Sequence, residues 1–359
     1  MNPLLKVRAF GQQIWLDNLS RTLLRDGHLT RMIAEDGVSG VTTNPSIFHK
    51  AIADGRYYEQ DLHVLRSHVR DAEARYEQLV IPDVRAACDA LLPVFDASHG
   101  QAGYVSLEVS PELAHDAEGT VAAGRRLAGE VARPNLLVKV PATAAGLEAI
   151  EALIGAGINV NVTLMFSLAH VEAVAQAYVR GLRRLQSSGG DVSRAMSVAS
   201  VFLSRVDTLV DARLASLGDE ARQLQGRTAV SLARLAYRRY ADRFHGEAFA
   251  DLRTAGARPQ YMLWASTGTK NPDYSDLLYV ESVVGVDTIN TLPDATLVAL
   301  RDHGMPRADT ISDGVDQAQR HFEALAGFGI DLEAVGEQLQ REGLAQFETA
   351  FSALMQLME

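Results

Sequence analysis

Short apolar runs rich in β-branched residues alternate with amphipathic stretches along the whole chain. The strand-like runs are Ile14–Asp17, Gly40–Thr43, Tyr104–Glu108, Leu136–Pro141, Ile158–Leu164, Met196–Ser200, Tyr261–Ala265 and Val286–Asn290. Between them, runs such as Ala142–Ile154, Leu168–Leu185 and Thr228–Phe244 carry the helical period. Eight such units predict a (β/α)₈ TIM barrel, an α/β fold that takes about 250 residues. The chain has 359 residues, and the surplus reads as added helices. One insertion lies near 57–95, as two helices, Tyr57–Leu79 and Pro82–Phe95. A second covers 206–259, and C-terminal helices over 314–359 are expected to close the outer ring. No Pro/Gly/Ser-rich linker divides the chain, so 1–359 reads as one domain. An open doubly wound sheet would share the apolar parallel strands. Polar residues near the ends of many strands favour the barrel, where they converge on one mouth.

The fifth strand shows this most clearly. Asn159, Asn161 and Thr163 alternate with Val160, Val162 and Leu164, so period two sends the three polar side chains to one face. The same parity picks out Asp17 after strand one, Thr42 and Asn44 after strand two, and Glu108 with Ser106 on strand three. Ser200 and Phe202 end strand six, and Arg205 stands one turn beyond. Single strand-end carboxylates are ordinarily helix caps. Two of them with a lysine, two asparagines and a threonine, spread over the first five strands, describe a site.

The lysine is Lys139, in the middle of Leu136-Leu137-Val138-Lys139-Val140-Pro141. The chain has 4 lysines among 34 basic residues. An amine inside an apolar strand can lose its proton and attack a carbonyl, which a guanidinium cannot do. A mostly aliphatic environment is expected to disfavour its ammonium form. Asp17 and Glu108 suit the proton transfers that imine chemistry and carbon–carbon cleavage need, and Thr163 can orient a water. The protonated imine is itself the electron sink, so neither a cofactor nor a metal is expected.

Composition narrows the partners. A formal net charge of −11 argues against nucleic-acid and anionic-membrane partners, which call for a broad basic face. A small phosphorylated substrate needs only a local cation cluster. Hydrophobic content of 47% and charged content of 22% are those of a soluble globular protein. Cys88 is the single cysteine, which excludes an intrachain disulfide and points to a cytoplasmic setting. The start, Met1-Asn2-Pro3-Leu4-Leu5-Lys6, has no signal-peptide pattern, and no run approaches the roughly 20 apolar residues of a membrane span. No HxH, HExxH or GxxxxGK[ST] motif occurs.

At these residues the sequence resembles transaldolases. The matching segments are Ile14-Trp15-Leu16-Asp17-Asn18-Leu19-Ser20-Arg21, Gly40-Val41-Thr42-Thr43-Asn44-Pro45-Ser46, Ser106-Leu107-Glu108-Val109 and Val138-Lys139-Val140-Pro141. They continue through Asn159-Val160-Asn161-Val162-Thr163-Leu164 to Ser200-Val201-Phe202-Leu203-Ser204-Arg205-Val206. The resemblance implies a class I aldolase barrel of the pentose phosphate pathway acting on sugar phosphates. It would move a dihydroxyacetone unit from sedoheptulose 7-phosphate to glyceraldehyde 3-phosphate, giving erythrose 4-phosphate and fructose 6-phosphate. Lys139 would be the Schiff-base lysine, Asp17 the base for retro-aldol cleavage, and Glu108 with Thr163 the pair that handles the catalytic water. Asn44, Asn161 and Ser200 match positions that hold substrate hydroxyls, and Arg205 matches a phosphate-binding arginine. Better-known short members carry a second arginine after a Ser ending strand seven. This chain has Ser266-Thr267-Gly268-Thr269-Lys270-Asn271-Pro272, a subgroup with a different loop. Ser266 and Lys270 are the candidates there, with Lys270 as the second cation.

Two other readings share the lysine or the barrel. A fructose 6-phosphate aldolase-like enzyme would release free dihydroxyacetone; Glu108 and Phe202 disfavour it, since those relatives carry Gln and Tyr at the corresponding places. A non-catalytic sugar-phosphate-binding barrel would be expected to lack one of Lys139, Asp17 or Glu108. Assembly into a homo-oligomer is left open.

Overall fold

The computed structural model describes residues 2–359. Its centre is a closed barrel of eight parallel strands in sequential order. They are β1 (Gln12–Leu16), β2 (Val38–Val41), β3 (Tyr104–Glu108), β4 (Leu136–Pro141), β5 (Val160–Met165), β6 (Ser197–Phe202), β7 (Tyr261–Ala265) and β8 (Thr288–Leu292). The expected eight strands are all present, some displaced along the chain. β8 starts two residues later than expected because Asp287 turns through a left-handed φ of 55° and Val286 lies exposed in that turn. A shift of two preserves side-chain parity, so the inward set is unchanged.

Trp15 and Gly40 illustrate how the barrel closes. They are paired across β1 and β2, and a Cβ on Gly40 would collide with the Trp15 ring. The missing side chain makes room for the fully buried indole.

The first insertion departs from expectation in one respect. After helix Glu59–His68, a single helix runs over Ala72–Ala97 with Pro82 and Pro93 inside it, where Pro82 was expected to begin a new helix. Proline removes one helical N–H. Arg21 braces that turn, donating to the Leu79 carbonyl at 2.9 Å and to the Asp83 carboxylate at 2.8 Å. The second insertion contains helices Ser204–Ala215, Asp219–Arg222, Thr228–Phe244 and Ala250–Thr254.

The C-terminal helices correct the sequence reading more deeply. The ring position after β8 is taken by Asp294–His303, and Val315–Gly327 packs on Thr228–Phe244. The last helix, Leu332–Met358, does not complete the ring. It crosses the C-terminal mouth, against β5 and the helices Pro45–Ala53, Ala72–Ala97 and Ser204–Ala215. Gly336 and Gly343, seven residues apart on one helical face, let it come close. A Cβ at Gly336 would stand 2.6 Å from the Ser167 Cβ, and one at Gly343 2.9 Å from Leu164. Gln340 then donates to the Ala142 and Leu164 carbonyls at 3.0 and 3.1 Å. Among the described residues no helix is long and apolar enough to cross a membrane.

Candidate active site

The mouth holds a cavity of about 210 Å³. Larger cavities lie elsewhere, about 470 Å³ beside Arg21 and about 660 Å³ beside Asn159 and Arg258. Size therefore does not locate the chemistry; the converging polar groups do. Of the predicted site residues, Asp17, Thr42, Asn44, Lys139, Thr163, Ser200, Phe202, Arg205, Ser266 and Lys270 line this mouth cavity. Glu108 and Asn161 do not, and each has a structural reason.

Register places Glu108 beside Lys139 and Lys139 beside Asn161 on adjacent strands. Lys139 is buried. Its Nζ donates to the Thr43 carbonyl at 2.9 Å and stands 3.5 Å from Glu108 Oε2. The expected aliphatic surroundings are thus wrong at the amine itself, which meets a carbonyl and a carboxyl. Strand periodicity reports the neighbours along β4, whereas these groups come from the end of β3 and the loop after β2. Glu108 sits behind the lysine rather than in the cavity wall. Burial pushes its carboxyl up to about 7, against the opposing pull of Lys139.

Asn161 is one layer deeper. Its Nδ2 donates to Ser106 Oγ at 2.8 Å, and its Oδ1 accepts from Ser200 Oγ at 2.7 Å. It therefore orients Ser200, which does reach the cavity. Asn159 shares their face by parity but belongs to the opposite end of the barrel, where it accepts from the Met196 N–H at 2.9 Å. Beyond Thr163 the alternation itself stops. Leu164 has a φ of 60°, and pairing with β6 slips between Val162 and Met165, as in a bulge.

Thr163 Oγ1 and Glu108 Oε2 are both buried without a hydrogen-bond partner. Such atoms are costly in a packed interior, and a catalytic role is one reason to keep them. Asp17, half-buried after β1, is raised above its ordinary value by burial, with Lys139 lowering it and Asp294 raising it. Asn44 caps helix Pro45–Ala53, its Oδ1 accepting from the Ile47 N–H at 3.0 Å. Its amide nitrogen is what remains for a ligand.

The other side of the cavity carries cations. Arg205 stacks 5.4 Å from the Phe202 ring, which packs on Phe166 at 5.2 Å. Burial holds the guanidinium below the ordinary arginine value, and no carboxylate within 4.0 Å pairs with it among the described residues. A half-buried arginine without an acid partner suits an anionic ligand. Lys270 is exposed on the loop after β7. Tyr274 of that loop donates to Asp211 at 2.8 Å, and Tyr279, just beyond, donates to Asp207 at 2.8 Å. Both acids lie on the helix that starts with Ser204 and Arg205, so the loop is docked onto the element that presents Arg205.

Residues 14–358 match the family described as Transaldolase/Fructose-6-phosphate aldolase. The chain belongs to this family. It is 58% identical over 356 residues to a transaldolase of Thiobacillus denitrificans, covering 99% of each chain. A transaldolase of Neisseria gonorrhoeae is 46% identical over 355 residues, again 99% of each. Transaldolase 1 of Streptomyces coelicolor is 48% identical over 346 residues, 96% of this chain and 91% of that one.

Within this transaldolase/aldolase barrel, sequence reasoning missed three features. The Thr43 carbonyl that receives Lys139 is a backbone group and leaves no trace in residue type. Thr291, on β8, lines the cavity but lies beyond the expected end of that strand. Phe347 reaches the cavity from the final helix, its ring centroid 5.6 Å from Lys139 Nζ. The paired glycines of that helix were the available signal, since seven-residue spacing of small residues marks a face that approaches another backbone.

Proposed function

We propose that this family member is a transaldolase. It moves a dihydroxyacetone unit from sedoheptulose 7-phosphate to glyceraldehyde 3-phosphate through a Schiff base on Lys139. The observation that carries this reading is the buried Lys139 amine, held 3.5 Å from Glu108 in a cavity that Asp17 and Thr163 also line. The amine attacks the ketose C2 carbonyl, and loss of water gives a protonated imine. Asp17 takes the proton of the C4 hydroxyl as the C3–C4 bond breaks, and the bonding pair moves through C2 to neutralise the imine nitrogen. The departing aldehyde is replaced by the acceptor, and the steps run in reverse. Glu108, with a carboxyl near 7, exchanges protons with a water held by Thr163, which suits work near neutral pH. Thr42, Asn44 and Ser200 bind substrate hydroxyls, and Asn161 orients Ser200. Arg205 and Lys270 bind the phosphate beside Ser266 and the apolar wall of Phe202. The buried free thiol of Cys88 suits action in the cytoplasm.

Borohydride reduction with fructose 6-phosphate, followed by peptide mass mapping, tests the assignment. The adduct is expected on Lys139, distinguishable from Lys6, Lys50 and Lys270. A reduced adduct elsewhere, or none, overturns it. Lys139→Arg keeps the charge and is expected to abolish turnover. Erythrose 4-phosphate-dependent consumption of fructose 6-phosphate separates transfer from aldolase release, which needs no acceptor.

A further inference from the structure

We propose that Phe347 determines whether the Lys139-bound three-carbon unit goes to an acceptor aldehyde or to water. This rests on the Schiff-base reading of Lys139. The other cavity residues come from a barrel strand or the segment directly after one. Phe347 comes from the helix laid across the mouth, and it is buried, with its ring over the Lys139 amine at 5.6 Å.

The ring's position is held by the loop that follows β4 and by the end of β5 with the segment after it. Gln340 binds the Ala142 and Leu164 carbonyls. Gly343, one turn before Phe347, packs on Leu164 beside the Arg205 guanidinium. Glu337 meets the His170 ring at 3.1 Å, and that ring's Nδ1 accepts from the Phe166 N–H. The helix is therefore anchored to the segments that carry Thr163 and follow Lys139, which fixes the aromatic wall relative to the amine.

Cleavage of C3–C4 leaves a neutral enamine whose electron pair is shared between nitrogen, C2 and C3. If an aldehyde carbon takes that pair at C3, a new C–C bond forms and the aldehyde oxygen receives the proton held by Asp17. If water protonates C3 instead, a C–H bond forms, the nitrogen becomes an iminium, and the hydroxide left behind adds at C2. Collapse of that adduct frees the amine and releases dihydroxyacetone, with one water consumed. The Phe347 ring occupies space beside the nitrogen and offers no proton donor, so it lengthens the life of the enamine against water.

The test follows dihydroxyacetone released from fructose 6-phosphate without acceptor, relative to transfer onto erythrose 4-phosphate, in Phe347→Leu, Phe347→Val and Phe347→Ala. The ratio is expected to rise as the wall recedes, by less than about threefold for Leu and on the order of tenfold for Ala. A ratio that stays flat across the folded variants overturns the proposal. If the Ala variant does not fold, equal ratios in the Leu and Val variants overturn it. Loss of both transfer and release with the borohydride adduct intact also overturns it, because the ring would then serve bond cleavage. Absence of the adduct in the unmodified enzyme is a separate failure, that of the Schiff-base reading.

Discussion

Glu108→Gln isolates the burial of a carboxyl beside Lys139. The Glu108 carboxyl titrates near 4.5 when exposed and at about 7 in the fold. The folded state thus keeps a proton that the unfolded chain has lost, and stability falls as pH rises from the first value to the second. The gap between those values corresponds to about 3 kcal/mol. Gln resembles the protonated acid and has no charge to bury. Near pH 5 the two proteins should therefore have similar stability, and by about pH 8 the Gln variant should be ahead by about 2 to 3 kcal/mol. Urea unfolding at several pH values measures this, with the free energy difference read against pH. Turnover should fall at every pH because the amide cannot exchange protons with water. A Gln variant that loses stability relative to the parent as pH rises would refute the reasoning. It would mean that attraction to Lys139 at 3.5 Å outweighs desolvation of the carboxylate.

Arg205→Gln removes a half-buried guanidinium that has no acid partner among the described residues. KM for fructose 6-phosphate should rise roughly 30-fold, the size of a lost charged hydrogen bond, while kcat stays close to its original value. Tyr274→Phe deletes the hydroxyl that docks the β7 loop on Asp211 at 2.8 Å. Steady-state kinetics should show KM raised about threefold, a fraction of one hydrogen bond, with the Lys139 adduct unaffected. Gly40→Ala drives a methyl into the Trp15 ring; urea unfolding should show a loss of about 3 kcal/mol from overpacking.

Much of this was legible in the sequence because a barrel strand writes its geometry into alternate residues. Lys139, Asn161 and Thr163 face inward for that reason, and eight strand signals leave few ways for the chain to close. What alternation does not carry is depth along the strand or contact between strands. Asn159 has the parity of Asn161 and Thr163, yet it lies at the opposite end of the barrel. Glu108 and Asn161 were expected in the cavity wall, but register sets one behind Lys139 and the other beneath Ser200.

The sequence by itself determined the parallel barrel and the strand-end set of polar groups, because these follow from local periodicity and residue type, while the family came from the resemblance of whole segments to known members. Tertiary structure alone decided what surrounds the lysine amine: the Thr43 carbonyl, the buried carboxyl of Glu108 and the ring of Phe347. Each comes from a different stretch of chain and reaches Lys139 only once the barrel has closed and the final helix has been drawn across its mouth. The amphipathic pattern of that helix marked an apolar face to bury. It held no information on whether the surface burying it would be the outer ring or the open end, since close packing supplies apolar contact at both.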